Sequence, residues 1–241
     1  MFSLFKKRTA HHKYPTDIHS HLLPGLDDGV KSLEESMEIL HQFHELGTRK
    51  LYTTPHIMSD LYPNNEADIL TKLSELQKKI ANTGLEIEIL AAAEYYLDET
   101  LLKKTESASH ELLTFGNNYL LFETSFMNQP FHLNEFIFKA RSRGYHPVLA
   151  HPERYAYIQN DHELVDDLIQ RGVLLQLNII SLAGYYSKPV RKLAERLIEK
   201  GQVHFVGSDC HNMHQFAAIK EAMNNKYYHR AMDLPLKNFN L

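Results

Sequence analysis

The chain has 241 residues, 43% of them hydrophobic, with 26 Lys+Arg against 30 Asp+Glu. A chain of this size and composition buries a core that needs neither disulfide nor structural metal. The net charge of −4 argues against sequence-independent nucleic-acid binding, which requires clustered Lys and Arg.

The opening Met1-Phe-Ser-Leu-Phe-Lys-Lys-Arg8 places its charges after a short apolar stretch, the reverse of a secretory signal. The longest run free of Asp, Glu, Lys and Arg, Gly172 to Ser187, contains Gln176, Asn178 and Ser181. It falls short of the ~20 apolar residues a membrane helix needs. The sequence therefore predicts a soluble cytoplasmic protein with no membrane insertion. Residues 1–13 are expected to form a flexible leader and residues 14–241 a single domain, since no Pro/Gly/Ser-rich linker interrupts them.

From Tyr14 the chain alternates short apolar runs with amphipathic segments. The first run, Asp17-Ile-His-Ser-His-Leu-Leu23, precedes Ser32 and Glu35, which fit a capping box. Leu33, Met37, Leu40 and Phe43 then recur at helical spacing, with Gly47 as a stop. A second run, Lys50 to Thr54, leads to a helix over about 66–81. A third, Leu85 to Ala93, ends in Glu94-Tyr-Tyr96. A fourth, Tyr119 to Phe122, ends in Glu123 and precedes a helix finishing near Gly144. The fifth, Pro147 to Ala150, is followed by a helix over 163–170 and Gly172. The sixth, Val173 to Asn178, leads to a helix over about 189–200 and Gly201. The seventh, Val203 to Val206, enters Gly207-Ser-Asp-Cys-His211 and a final helix near 217–223. Alternating β and α segments imply a parallel sheet flanked by helices. Seven units suggest a closed or nearly closed barrel, with a doubly wound open sheet as the other solution. In either, ligands bind at the carboxyl ends of the strands.

Metal-type residues fall at those ends. Run one carries His19 and His21, run two is followed by His56, run three by Glu94 and run four by Glu123. Run five is followed by His151, and run seven by Asp209 and His211. His19/His21 and Asp209/His211 are spaced two apart, so each pair faces one way in extended chain. Eight ligands exceed one tetrahedral zinc and suit two or three divalent ions of mixed imidazole and carboxylate coordination. Such clusters position a hydroxide and neutralise phosphate oxygens.

His19-Ser-His21, Thr54-Pro-His56, Glu94, Glu123, His151-Pro-Glu-Arg154 and Asp209-Cys-His211 resemble the PHP (polymerase and histidinol phosphatase) superfamily. More closely, Asp17-Ile-His-Ser-His-Leu-Leu-Pro-Gly-Leu-Asp-Asp-Gly29 and His151-Pro-Glu-Arg-Tyr155 are similar to the bacterial PHP-type protein-tyrosine phosphatases of capsule and exopolysaccharide operons. The resemblance implies a single-domain α/β fold, a distorted (β/α)7 TIM-like barrel. It implies a trinuclear metal site loaded first with manganese, with iron, zinc or magnesium able to serve. Its ligands would be His19, His21, His56, Glu94, Glu123, His151, Asp209 and His211, with Glu94 bridging. The implied reaction is hydrolysis of phosphotyrosine on the tail of a partner bacterial tyrosine kinase, by direct attack of a metal-held hydroxide without a phosphoenzyme.

Arg154 is the candidate catalytic and substrate-binding cation, three residues beyond His151, where a guanidinium can take two phosphoryl oxygens. Its bland alternative is a surface ion pair with a neighbour such as Glu153. Asp27 and Asp28 could orient a ligand histidine or protonate the leaving oxygen, Asp28 being the catalytic candidate; a Gly-flanked turn explains them equally. Tyr95 is the candidate to contact a substrate ring, with Tyr96, Tyr185 and Tyr186 also on the rim. Related phosphatases often carry a second Arg shortly after the last Asp-x-His; here Asp209 to Phe216 contains none, and His214 is the nearest substitute. His41, His44, His204, His11 and His12 lack strand-end placement. A Cys-x5-Arg loop is impossible, because position 216 is Phe. The competing functions are a small-molecule phosphatase such as one acting on histidinol phosphate, a catalytically silent phosphoprotein-binding module, and a nuclease disfavoured by charge.

Overall fold

The computed structural model describes Tyr14, residues 16–107 and residues 111–241. The leader expected over 1–13, with His11 and His12, lies outside the described residues.

Eight strands and nine α-helices alternate along the described chain: α1 Leu33–Glu45, β1 Lys50–Thr53, β2 His56–Ile57, α2 Glu66–Ala81, β3 Glu88–Ala91, β4 Glu94–Tyr96, α3 Glu99–Glu106, β5 Tyr119–Glu123, α4 Leu133–Ser142, β6 His146–Ala150, α5 Ala156–Asn160, α6 Glu163–Gln170, β7 Leu174–Asn178, α7 Lys188–Glu199, β8 Phe205–Gly207, α8 Met213–Met223 and α9 Lys226–Met232. β1 pairs with β3, and the other six run β2-β4-β5-β6-β7-β8. Every pairing between these strands is parallel.

The two sheets are linked through one interrupted pair of strands, β1/β2 beside β3/β4. The chain steps from β1 to β2 through Thr54-Pro55 and from β3 to β4 through Ala92-Ala93. Ala92 N donates to Thr53 O (2.9 Å) and Glu94 N to Pro55 O (3.2 Å), carrying the ladder across the gap. The first apolar run is stitched in on both sides. Tyr52 N donates to Asp17 O (2.8 Å) and Thr54 N to Ser20 O (2.7 Å), while His21 N donates to Cys210 O (2.9 Å) and Asp209 N to His19 O (2.7 Å). The chain after β8 thus meets the start of the fold.

Period-two alternation sorts the strand residues into two cores. Tyr52, Ala92, Leu121, Val148, Ala150 and Phe205 share one buried cluster with Ile18 and Phe115. Their neighbours Leu51, Leu120, Phe122, Leu149, Leu175 and Val206 face the helices in the larger core. The first set matters for function. Two residues on from Leu121 and Ala92 on the same face stand Glu123 and Glu94, and two on from Leu174 stands Gln176.

Helix starts follow local chemistry. The side chains of Ser32, Asn65, Asp98, Ser187 and Asn212 each accept a hydrogen bond from a backbone N–H of the first turn, the N-cap geometry these residue types favour. Gly47, Gly172 and Gly201 end their helices at positive φ, as a left-handed C-cap requires. Three expectations are corrected. The third run divides into β3 and β4, so Glu94-Tyr-Tyr96 is itself strand. α8 begins at Met213, four residues before the expected start, because Asn212 caps it. α3, α5 and α9 add helices the periodicity did not reveal. Among the described residues no helix is long and apolar enough to cross a membrane.

Candidate metal centre

Glu94, buried at the start of β4, lies at the middle of the predicted ligands. Its Oε2 is 3.1 Å from His19 Nε2, 3.4 Å from His21 Nε2 and 3.2 Å from His56 Nδ1, while its Oε1 is 3.0 Å from His151 Nε2. Three overlapping donor sets result: His19, His21, Glu94 and Asp209; His56, Glu94 and Glu123; and His21, Asp28, His56 and His211. All eight predicted ligands therefore converge, although His151 joins through Glu94 rather than as a member of one set.

The donor atoms face one another at short range. Asp209 Oδ1 and His56 Nδ1 are buried without a hydrogen-bond partner. Asp209 Oδ1 nevertheless lies 3.3 Å from His19 Nε2 and 3.4 Å from His21 Nε2, and those two nitrogens are 3.3 Å apart. Converging, water-excluded lone pairs of imidazole and carboxylate fit divalent cations.

A surrounding layer fixes three of the imidazoles. His19 Nδ1 meets Gln176 Oε1 (2.9 Å), His21 Nδ1 meets Asp27 Oδ2 (2.7 Å), and His211 Nδ1 meets the carbonyl of Asp209 (2.8 Å). In all three, Nε2 is the atom turned to the cluster. Asp27 both meets a ligand-candidate histidine and closes a turn: Oδ2 also accepts from His56 N, and Oδ1 accepts from Gly29 N. Packing is tight enough to dictate glycine at position 207, where a Cβ would stand 2.8 Å from His19 Cβ and 2.7 Å from Gln176 Nε2. His151 and Asp209, both at positive φ, are ordinary residues in an uncommon conformation held by their surroundings.

Charge at the cluster is strongly coupled. Burial pulls His19 down, but the carboxylates of Glu94 and Asp209 outweigh it and lift the imidazole to about 9. Burial acts to raise Glu94 and Asp209, and the neighbouring histidines instead hold both well below the usual carboxylate range. His151 moves the other way, lowered by burial and by Arg154. Asp28, half-buried, is lowered first by its hydrogen bond with His211. A carboxylate so held is a poor proton donor, and its Oδ1 lies 3.5 Å from His211 Nε2 and 3.6 Å from His56 Nε2.

The cluster floors a cleft of about 630 Å³ lined also by Arg154, Tyr186 and Thr124, with Leu61, Tyr62, Tyr96, Phe126 and Met127 among its apolar walls. Arg154 donates from Nη1 to Asp209 Oδ2 (2.9 Å), so the pair with Glu153 does not form. Glu153 is buried, accepting from Ser181 Oγ and Asn178 N, and burial raises it to about 7.

Tyr95 is not where the sequence suggested. It follows inward-facing Glu94, so strand alternation turns it to the helices. It is 1% exposed, donating to Glu66 Oε1 (3.1 Å) and accepting from Leu113 N (2.8 Å). Tyr96 and Tyr186 line the cleft in its place. Tyr185 is outside it, with its hydroxyl 3.5 Å from His214 Nδ1. Cys210 is buried and its thiol pushed up by that burial. His41 Nδ1 meets the Met37 carbonyl (2.6 Å), and His204 Nδ1 accepts from Leu175 N (3.2 Å). Gln176 and Asn178 escaped the sequence reading; their signal was two amides within an otherwise apolar strand.

Fold and site together define a parallel α/β scaffold with a His/carboxylate cluster suited to divalent metal at the strand ends. The chain matches the family described as capsular polysaccharide synthesis, CpsB/CapC, over residues 15–233, and it belongs to that family, a CpsB/YwqE-like branch of the PHP superfamily. It is 30% identical to the tyrosine-protein phosphatase YwqE of Bacillus subtilis over 82% of this chain and 77% of that one. It is 31% identical to the tyrosine-protein phosphatase CpsB of Streptococcus agalactiae over 82% and 83%. Among solved structures, one from a study of YwqE from Bacillus subtilis and CpsB from Streptococcus pneumoniae, there called unique metal-dependent tyrosine phosphatases, superposes with a TM-score of 0.80. Its identity is 27%, covering 92% of this chain and 94% of that one. Histidinol phosphate phosphatase from Lactococcus lactis (TM-score 0.51, 13% identity, covering 86% and 93%) shares the fold.

Proposed function

We propose that this protein is a metal-dependent protein-tyrosine phosphatase acting on the phosphotyrosine-bearing tail of a bacterial tyrosine kinase that controls capsular or exopolysaccharide synthesis. The observation that carries the reading is the continuity of an eight-residue donor cluster with an open cleft that holds a guanidinium and apolar walls. A small polar substrate such as histidinol phosphate calls for a closed polar pocket. Here Leu61 and Met127 stand at the mouth 68% and 69% exposed, a surface suited to polypeptide. The relatives named tyrosine-protein phosphatases support the same class.

On this reading residues 14–241 form one domain whose strand circuit is a distorted (β/α)7 barrel, and the protein works in the cytoplasm. His19, His21, His56, Glu94, Glu123, His151, Asp209 and His211 are the ligands, joined by Asp28, whose role is to bind rather than to donate a proton. When bound, two or three divalent ions, manganese first, activate water and neutralise phosphoryl oxygens. Gln176 and Asp27 keep His19 and His21 presenting Nε2. Arg154, fixed at one end by Asp209, offers its remaining N–H groups to the phosphoryl oxygens as charge grows on them. Tyr62, Tyr96 and Phe126 surround the leaving aryl group and exclude water from it. Cys210, the single cysteine, is buried beneath the site, so cysteine nucleophilic catalysis is set aside and a metal-held hydroxide would attack phosphorus directly.

The test is inorganic phosphate release by manganese-loaded protein from a phosphotyrosine peptide and, in parallel, from histidinol phosphate. Preference for the peptide of at least about tenfold in kcat/KM is expected. Preference for histidinol phosphate, or turnover of neither with metal bound, would refute the proposal.

A further inference from the structure

Arg154 is not left to find its substrate unaided. Its guanidinium carbon lies 4.2 Å from the centroid of the Tyr186 ring and 4.6 Å from that of Phe126, while Nη1 is bonded to Asp209 Oδ2. Two aromatic faces and one carboxylate oxygen thus fix the plane and one edge of the cation, leaving its other N–H groups toward the cleft. The arginine and its three contacts come from the ends of four neighbouring strands: Phe126 after β5, Arg154 after β6, Tyr186 beyond β7 and Asp209 after β8.

Of the two rings, Tyr186 is the anchored one. Its hydroxyl accepts from Asn178 Nδ2 (2.9 Å) and points to Asp209 Oδ2 at 3.4 Å. Asn178 Nδ2 also donates to Asp209 Oδ2 (2.9 Å), and its backbone N–H donates to Glu153 Oε1 (3.1 Å). One oxygen of Asp209 is therefore saturated by Arg154, Asn178 and Tyr186, while the other, Oδ1, has no hydrogen bond and faces His19 and His21. The carboxylate joins the donor cluster to the arginine, and Tyr186 packs against both. Phe126 closes the outer face, its ring at 39% exposure and its carbonyl accepting from Ala156 N (2.7 Å).

We infer that Tyr186 is a positioning residue: its ring, stacked on Arg154, holds the guanidinium in the orientation that receives a phosphoryl group. The physical basis is cation–π attraction in a partly desolvated site and the conformational freedom that an arginine side chain otherwise loses on each binding event. The ring supplies the effect, and the hydroxyl serves chiefly to seat the ring through Asn178. The inference deepens the phosphatase reading and rests on it for the identity of the substrate.

A double-mutant cycle in manganese-loaded protein separates this role from a structural one. Inorganic phosphate affinity is measured by calorimetry, and kcat and KM on a phosphotyrosine peptide, with manganese content determined for each variant. Tyr186→Leu should weaken phosphate binding about fivefold to tenfold and lower kcat/KM by a similar factor, with manganese content retained. Tyr186→Phe, keeping the ring, should fall by no more than about threefold. In an Arg154→Ala background, adding Tyr186→Leu should change phosphate affinity by less than about twofold. Equal losses with and without Arg154, a loss tracking departed manganese, or unaltered phosphate affinity in Tyr186→Leu would each overturn the inference. If the parent protein leaves the phosphotyrosine peptide untouched, the proposed substrate is wrong, and the phosphate-affinity cycle still decides the role of Tyr186.

Discussion

The Nδ1 atom of His19 lies 2.9 Å from Oε1 of Gln176, and that same oxygen accepts from the backbone N–H of His151 at 3.3 Å. One amide on β7 thus sets the tautomer of a histidine from the first run and anchors the left-handed backbone of another after β6. Gln176→Leu keeps the approximate volume and removes both bonds. Manganese affinity should fall about tenfold to a hundredfold, the usual cost of deleting such a partner, as measured by calorimetric titration of chelator-stripped protein.

Histidine charge gives the metal-free protein a distinctive pH profile. His19 is raised to about 9 in the folded state, above its ordinary unfolded value near ~6.5. A raised imidazole contributes stability that is full below the unfolded pKa and disappears as pH climbs through the folded one. Chelator-treated protein should therefore lose stability between about pH 6.5 and 9, by roughly 2–3 kcal/mol from this group. Urea denaturation across that range checks the slope. The same proton competes with metal, so manganese binding at pH 7 should release protons, visible as a buffer-dependent binding enthalpy.

The apolar mouth makes a claim about substrate size. Leu61 and Met127 line the cleft and are largely exposed, placed to meet a polypeptide more than a small ester. Leu61→Ser with Met127→Ser should reduce kcat/KM on a phosphotyrosine peptide by about tenfold, in keeping with two partly buried apolar contacts, and leave p-nitrophenyl phosphate within about twofold. Steady-state kinetics on the two substrates settles it. Equal losses on both would assign these side chains to the reaction itself.

The sequence carried the parallel α/β fold and the eight converging donors because both depend on local pattern. Strand ends were marked by apolar runs stopping at His, Asp or Glu, and helix ends by Ser32, Gly47, Gly172 and Gly201. Facing was harder. Tyr95 looked available because it follows Glu94, yet the strand continues through Tyr96, and one residue of register turns Tyr95 away from the cleft. Gln176, Asn178 and the partner of Arg154 depend on which strands become neighbours, and no spacing along the chain encodes that Asp209 would reach Arg154. The break between β3 and β4 and the helix α9 were hidden for a related reason: both are set by tertiary contacts rather than by periodicity.

The central claim is that the buried His/carboxylate cluster works through bound metal on phosphotyrosine. It is tested most directly by phosphate release from a phosphotyrosine peptide by chelator-stripped protein titrated with manganese, beside His151→Ala. The account predicts no turnover without metal, activity rising to saturation at two to three manganese ions per chain, and a loss of at least about a hundredfold in the variant. Turnover that survives chelation, or full activity in His151→Ala, would contradict it.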